Sequence, residues 1–412
     1  MNDLEKKLSS LSPEQRSMLE ARLKQRSAAP DTAGAAGAAG AAGEKGISIS
    51  DSLRQKGMGF SLIFFSGDGS TDGPDKYRLV LESAKFADQN GFQAIWTPER
   101  HFQAVGGLYP NPSVLSAALA TITDNIQLRA GSVVLPLHHP LRVAEEWSLV
   151  DNLSRGRAAI SVATGWHPAD FILKPEYYEN RKEVMYEHLE LIRRLWRGES
   201  VECKDISGQQ VEVAVLPKPV QPELPVFLTA SGNPATWSKA GEQGFHVLCS
   251  MATHTLDALK ERIQLYREQR AKHGHDPEAG IVSVMVHTCV GEKDQEVKEQ
   301  VRGPLRDYLD TFLDQYETLN PLKDEQSEVG SMLSSSRDAL ITFAFEKYFQ
   351  ISSLMGSKEK CAAMIEKLHR IGVDEVACLL DFGLEFQQVM EGLEHLNELR
   401  SWFTPAKLQV PV

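Results

Sequence analysis

Between Met58 and Phe403 the chain switches eight times from a short apolar run to a segment of helical periodicity. A parallel strand reaches its neighbour only through a crossover, so repeated strand–helix units specify a parallel sheet covered by helices. The strand runs are GMGFSLIFF, FQAIWTPERH, IQLRAGSVVLP, RAAISVATGW, PVFLTASG, FHVLCS, GIVSVMVHTCVG and VDEVACLLDFG. Eight such units in order fit an α/β fold of the TIM (β/α)8 barrel type better than a doubly wound sheet, and no GxGxxG opens the first unit. A long, charged, helical stretch from about Lys293 to Arg370 is read as a helical insertion between strands 7 and 8.

The barrel is expected to occupy residues 51–412. Residues 1–26 place Leu4, Leu8 and Leu11 at helical spacing, then Ser12, Pro13 and Gln15 supply a cap, a first-turn proline and a capping box before Leu19 and Leu23. This reads as an amphipathic segment of interdomain or docking type. Residues 27–50 carry an Ala/Gly repeat with nothing to bury, which reads as a flexible linker.

Charge narrows the partners. With 44 Lys+Arg against 56 Asp+Glu, the net charge is −12, which disfavours nucleic acid and anionic membrane surfaces. No stretch approaches the roughly 20 apolar residues of a membrane span, and the charged N-terminus lacks a signal-peptide core. Five widely spaced cysteines without a CxxC pair argue against a disulfide framework, so a reducing, cytoplasmic setting is expected.

In a barrel of this type, chemistry sits at the C-terminal ends of the strands. Those ends here read Glu99-Arg100-His101, Gly131-Ser132, Thr164-Gly165-Trp166-His167, Ser231-Gly232-Asn233 and Asp381. In TASGNPATW, Gly232 permits close backbone approach, Asn233 can cap and Pro234 suits a first helical turn. The free N–H groups of that turn can bind an anion such as phosphate, although the same residues also make an ordinary strand–turn–helix junction. Arg181, opening the helix after strand 4, can reach inward to such an anion. His101 can exchange protons near neutral pH with Glu99 orienting it, or Glu99 and Arg100 can simply pair across the barrel mouth. His138-His139-Pro140 lacks a third ligand at recognisable spacing, so no metal is expected and His139 is read as capping or packing at a helix start. Phe60, Phe64, Phe65, Trp96, Phe102, Trp166 and Phe171 together could wall a dry pocket for a flat cofactor.

WTPERHF, NPSVLSAALATIT, VVLPLHHPLRVAEE, LSRGRAAISVATGW, NRKEVM and LTASGNPATWSKAGEQG occur in this order, and together they resemble the bacterial-luciferase-like flavin monooxygenases across roughly Met58 to Phe403. The nearest likeness is to the branch found as a domain of nonribosomal-peptide and polyketide synthases. The resemblance implies FMN at the strand C-terminal face, with O2 as cosubstrate and reduced flavin supplied by a separate reductase. It implies a phosphate held by Ser231, Gly232 and Asn233 with Arg181 and Thr164. Ser132 and Ala163 would lie against the ring system, at the Ala163-Thr164-Gly165 strand end, with a bulge or cis bond at Gly131-Ser132. Glu99 and His101 match a Glu-His-His-Phe pattern in which Arg100 replaces the first His. The acid–base role is thereby left to His101, or Arg100 polarises a substrate carbonyl or carboxylate.

LSSLSPEQRSMLEARL also resembles the linker helices of assembly-line synthases. The expected substrate is therefore a small-molecule intermediate of secondary metabolism tethered to a carrier protein, with synthase modules as partners; the resemblance to barrels that often dimerise implies a homodimer. Two other readings remain open: a deazaflavin F420-dependent oxidoreductase on the same barrel, and a non-catalytic scaffold domain. The segment Ser334–Arg337 of the insertion reads as mobile, either in a water-excluding lid or in a solvated excrescence.

Overall fold

The eight apolar runs become the staves of a closed parallel barrel. The computed structural model describes residues 53, 56–65, 74–103, 105–318 and 328–404. All belong to the compact unit Ile47–Val412, so the segment 1–26 and most of the 27–50 linker fall in the other unit, and both lie outside the described residues.

In chain order the elements are β1 (Gly59–Ile63), α1 (Arg78–Gln89), β2 (Ala94–Thr97), α2 (Pro112–Ala120), β3 (Gln127–Val134), α3 (Pro140–Ser154), β4 (Ala158–Ala163) and α4 (Arg181–Trp196). An antiparallel hairpin follows, β5 (Val201–Lys204) and β6 (Gln210–Val213). Then come β7 (Val226–Thr229), α5 (Pro234–Glu242), β8 (His246–Ser250), α6 (Leu256–Lys272) and β9 (Val282–Gly291). The chain closes with α7 (Asp294–Thr318), α8 (Glu328–Ile351), β10 (Leu354–Ser357), α9 (Lys358–Arg370), β11 (Glu375–Leu379) and α10 (Phe386–Ser401). The barrel runs β9-β11-β1-β2-β3-β4-β7-β8, and a β8–β9 pairing completes the ring. Among the described residues no helix is long and apolar enough to cross a membrane, and all five cysteines are unpaired.

Strand alternation sorts the side chains into two cores. Phe60, Leu62 and Phe64 point outward to the helices, where Trp147, Trp237 and Tyr266 are fully buried. Ile63, Trp96, Ala159, Phe227, Leu248, Ala377 and Leu379 point into the barrel. Each fully buried Leu, Ile or Phe contributes roughly 1.5–3 kcal/mol. The base of the barrel is polar: Arg129 Nη1 donates to both Glu375 oxygens at 2.9 Å, and the hydroxyls of Ser61 and Ser283 donate to Oε1 at 2.7 Å. The Arg129 guanidinium lies 4.8 and 4.9 Å from the rings of Trp96 and Phe227, which meet each other edge-on at 4.9 Å.

The stretch between β9 and β11 is not helical throughout. It contains β10, which extends the sheet past the rim by pairing Leu354–Ser357 with Thr288–Gly291. Residues 334–337, expected as mobile, form part of α8, and Arg337 Nε donates to Asp310 Oδ1 of α7 at 2.6 Å. Lys298 to Glu346 at 2.7 Å and Arg306 to Thr342 at 3.0 Å tie the same two helices together.

Candidate active site

The loop after β2 supplies the first cluster. Glu99 is buried, yet every oxygen is used: Oε2 accepts the Val134 N–H at 2.8 Å, and Oε1 accepts from His101 Nε2 at 2.8 Å and His138 Nε2 at 2.6 Å. Burial pushes the Glu99 carboxyl up, but the bonds from His101 and His138, the His138 charge and the Val134 N–H outweigh it and hold the group below the usual carboxylate range. For His138, burial acts downward, while the Glu99 bond and charge, with Glu146, carry its basicity above the ordinary imidazole value. The three donor atoms lie within 4.8 Å of one another. Glu99 Oε1 is committed to both rings, so the cluster stands as a hydrogen-bonded triad.

Arg100 turns away from this triad. Its guanidinium lies 5.1 Å from the rings of both Phe65 and Trp166, and Nη2 donates to Gln103 Oε1 at 2.9 Å. Gly106, at φ +83°, leaves room for its stem, because a Cβ there would sit 2.5 Å from Arg100 Cγ. Burial lowers the Arg100 pKa, opposed by Asp170 and Tyr308. Burial raises that of Asp170, opposed first by Arg100. Asp381, at the end of β11, accepts the Phe65 N–H at 2.7 and 2.9 Å.

The opposite wall is built by β3, β4 and β7. The β3–β4 register shifts between Ala130 and Val133, and the Gly131-Ser132 peptide is cis, so both features expected at this position are present. Ser132 Oγ bonds Thr229 Oγ1, which also meets Ser161 Oγ at 2.8 Å. At the end of β4, Ala163, Thr164 and Gly165 are half-buried. Gly165, at φ +74°, packs where a Cβ would sit only 2.9 Å from the side chains of both Phe171 and Val134. Beyond β7, residues 231–235 are all exposed at the rim, and nothing lies within 4 Å of a Cβ added at Gly232. Asn233 Oδ1 caps α5 by accepting the Ala235 N–H at 3.0 Å. Ser231 O accepts from Trp237 Nε1 at 2.7 Å, and Gly232 O accepts from Arg262 Nε at 3.1 Å.

Helices α7 and α8 reach this end of the barrel. His287 points into the barrel from β9, its Nδ1 2.8 Å from the Tyr348 hydroxyl, and its ring meets those of Tyr308, Tyr348 and Phe382 edge-on at 4.6, 5.1 and 5.4 Å. Burial pushes His287 down to about 3 and raises the Tyr308 and Tyr348 phenols.

The geometry brings Glu99 and His101 together as expected and adds His138, which lies 39 residues from Glu99. His139 occupies the N-cap position of α3, but its side chain makes no capping bond. Arg181 opens α4, stacking 4.6 Å over Tyr178 and donating to Tyr178 O at 2.5 Å. Among the described residues it makes no hydrogen bond to Ser231, Gly232 or Asn233. The aromatic wall is smaller than the seven residues expected. Phe60 and Phe64 belong to the outer core, Phe171 packs on Val134 and Leu137, Phe102 is exposed, and Phe65 and Trp166 flank Arg100. Asp170, Thr229, His287, Tyr308 and Tyr348 carried no motif signal, since each joins the site through folding alone.

Residues 58–375 match the family described as luciferase-like monooxygenase. That match spans most of the chain and agrees with the closed eight-strand barrel, and the chain belongs to the luciferase-like monooxygenase family. It is 24% identical over 342 residues to the oxygenase component of flavin-dependent trigonelline monooxygenase from Acinetobacter baylyi, covering 81% of this chain and 91% of that protein. Among solved structures, the oxygenating constituent of 3,6-diketocamphane monooxygenase from Pseudomonas putida, a type II Baeyer-Villiger enzyme in complex with FMN, has the same fold. The TM-score is 0.66 at 20% identity, with 86% of this chain and 100% of that chain covered. The coenzyme F420-dependent tetrahydromethanopterin reductase of Methanopyrus kandleri also shares the fold, at a TM-score of 0.61 and 18% identity over 84% of this chain and 99% of that one.

Proposed function

We propose that this luciferase-like monooxygenase is an FMN-dependent oxygenase that takes reduced flavin from a separate reductase and uses O2 to oxygenate a small molecule. The observation that carries this reading is the open rim at residues 231–235, just beyond Thr229, which bonds Ser132 of the bulged, cis-bonded Gly131-Ser132 segment, in a chain of this family. The donor set fits FMN. The exposed Ser231, Gly232 and Asn233, the Thr164 hydroxyl and the Arg181 guanidinium suit a phosphate dianion, whereas the first turn of α5 adds no free N–H, since Pro234 has none and those of Ala235 and Thr236 are taken by Asn233. Ser132, Ala163 and Gly165 offer a half-buried surface for the ring system.

When bound, FMN supplies two electrons and the site of oxygen activation. The chain's residues do the rest. Glu99 holds His101 in place for proton exchange, and Arg100, fixed between Phe65 and Trp166, orients an oxygen-bearing group of the substrate. Tyr308 and Tyr348, carried by α7 and α8, exclude water from the mouth.

The likeness of the N-terminal segment to synthase linker helices and the Ala/Gly tether behind it support a carrier-bound intermediate of secondary metabolism with synthase modules as partners; the widely spaced cysteines support a cytoplasmic setting, and the likeness to related barrels supports a homodimer. The −12 charge requires that an acidic carrier dock on a local basic area rather than on the surface at large. The test is incubation of the full chain with reduced FMN, 18O2 and candidate substrates, free and carrier-bound. One labelled oxygen atom in the organic product supports the reading; a protein that never binds FMN overturns it. The shared fold of the F420-dependent reductase favours one rival, and F420 affinity without FMN affinity establishes it. A scaffold domain is indicated instead if replacing Arg181 leaves flavin binding unchanged.

A further inference from the structure

Two imidazoles end on one oxygen atom. Glu99 Oε1 lies 2.8 Å from His101 Nε2 and 2.6 Å from His138 Nε2, and Oε2 is taken by the Val134 N–H. An ionised carboxylate only accepts, so each ring presents its N–H at Nε2. That fixes the neutral tautomer of both histidines and leaves Nδ1 of His138 as the atom that gains and loses a proton. Among the described residues neither Nδ1 has a hydrogen-bond partner. The Glu99 side chain is fully buried, whereas those of His101 and His138 are 10% and 27% exposed, so His138 is the more open of the pair. A buried carboxylate that sets the tautomer of an imidazole and stabilises its cation is the arrangement of a working acid–base group.

The surroundings of His138 act in the same direction. Glu99 faces it from the β2 loop beside His101, and Glu146 faces it from α3, where Glu146 is itself paired with Arg142 at 3.0 Å. The net effect of burial and these charges is a raised pKa for His138.

We propose that His138 is the proton donor of the oxygenation, presenting Nδ1–H to the barrel mouth while Glu99 holds Nε2. The inference rests on the flavin-monooxygenase reading. Reduced FMN anion, O2, substrate and one proton give oxidised FMN, oxygenated substrate and water. The flavin provides two electrons and one proton, one oxygen atom bonds to the substrate, and the other leaves as water. The second proton of that water comes from His138 Nδ1, which recovers it from solvent.

The test pairs two readouts on the full chain. The first is 15N-imidazole NMR of the flavin-free protein. His138 is expected to be the Nε2–H tautomer at alkaline pH and to titrate with a midpoint above 6.5, and Glu99→Gln should lower that midpoint. An Nδ1–H tautomer in the wild type overturns the proposal without any variant having to fold. The second is His138→Gln, which should bind FMN within twofold of wild type. Its oxygenation should be at least tenfold slower and should lose the alkaline limb of the pH profile. A His138→Gln enzyme with the wild-type profile overturns the His138 role and leaves the flavin reading standing. A wild type that binds no FMN overturns both.

Discussion

The Tyr348 hydroxyl and His287 Nδ1 meet at 2.8 Å, and through them the inserted helix α8 is fastened to the inner face of strand β9. His287 is held neutral by burial, so this is a bond between uncharged groups in a dry setting. Tyr348→Phe removes it and leaves Nδ1 without its partner, a cost of about 1–2 kcal/mol. Denaturant unfolding should show that loss. The loosened cover should also raise the hydrogen peroxide released per flavin oxidised, measured by a coupled peroxidase assay; a well-coupled Tyr348→Phe enzyme would argue that the insertion is not a lid.

The Arg129–Glu375 pair at the opposite end of the barrel should behave differently. Both side chains are nearly inaccessible, at 3% and 1%. Arg129→Met strands the Glu375 carboxylate, and breaking such a buried pair costs roughly 3–5 kcal/mol. Chemical denaturation should report a drop of that size, while flavin affinity stays within twofold because the pair lies remote from the mouth.

Arg181→Ala should weaken FMN binding by about tenfold to a hundredfold, the range expected for a charge-assisted contact to phosphate, about 1.4–2.7 kcal/mol. Fluorescence titration reads this directly. The change should leave thermal stability of the flavin-free protein nearly intact, since Arg181 is only half-buried and its guanidinium bonds and stacks on Tyr178.

Stability should depend on pH through Glu99 and His138, with opposite signs. The Glu99 carboxyl is lowered, so its contribution is present above its ordinary 4.5 and is lost as pH falls through the folded value. His138 is raised, so its contribution is complete below its ordinary 6.5 and is lost as pH rises through the folded value. Both act together between about pH 4.5 and 6.5. Denaturation midpoints measured across pH 4–9 should show a shoulder in that window that Glu99→Gln abolishes; identical curves for the two proteins would rule the coupling out.

The barrel was legible because each of its strands is a near-continuous apolar run and each crossover helix has its own period. What escaped was short or non-local. Leu354–Ser357 is four residues long and reads LMGS, with too little β-branched character to mark β10. Ser334–Arg337 looked loop-like by composition, yet it lies within a 24-residue helix that pairs with α7. Phe60 and Phe64 looked like pocket residues until strand parity turned them outward, while Ser61 and Ile63 face the interior. At the site, Glu99 and His101 are two residues apart and could be paired by eye. His138 approaches Glu99 from the end of the next strand, a proximity created by the parallel pairing of β2 with β3.

The central claim is that the rim at residues 231–235, with Arg181, is built for the phosphate of FMN. Equilibrium titration of the full chain with FMN and, separately, with riboflavin tests it most directly, since the two ligands share the ring system and differ in the phosphate. FMN should bind at least a hundredfold more tightly, and that preference should shrink in Arg181→Ala. Equal affinity for the two, or no affinity for either, would contradict the assignment.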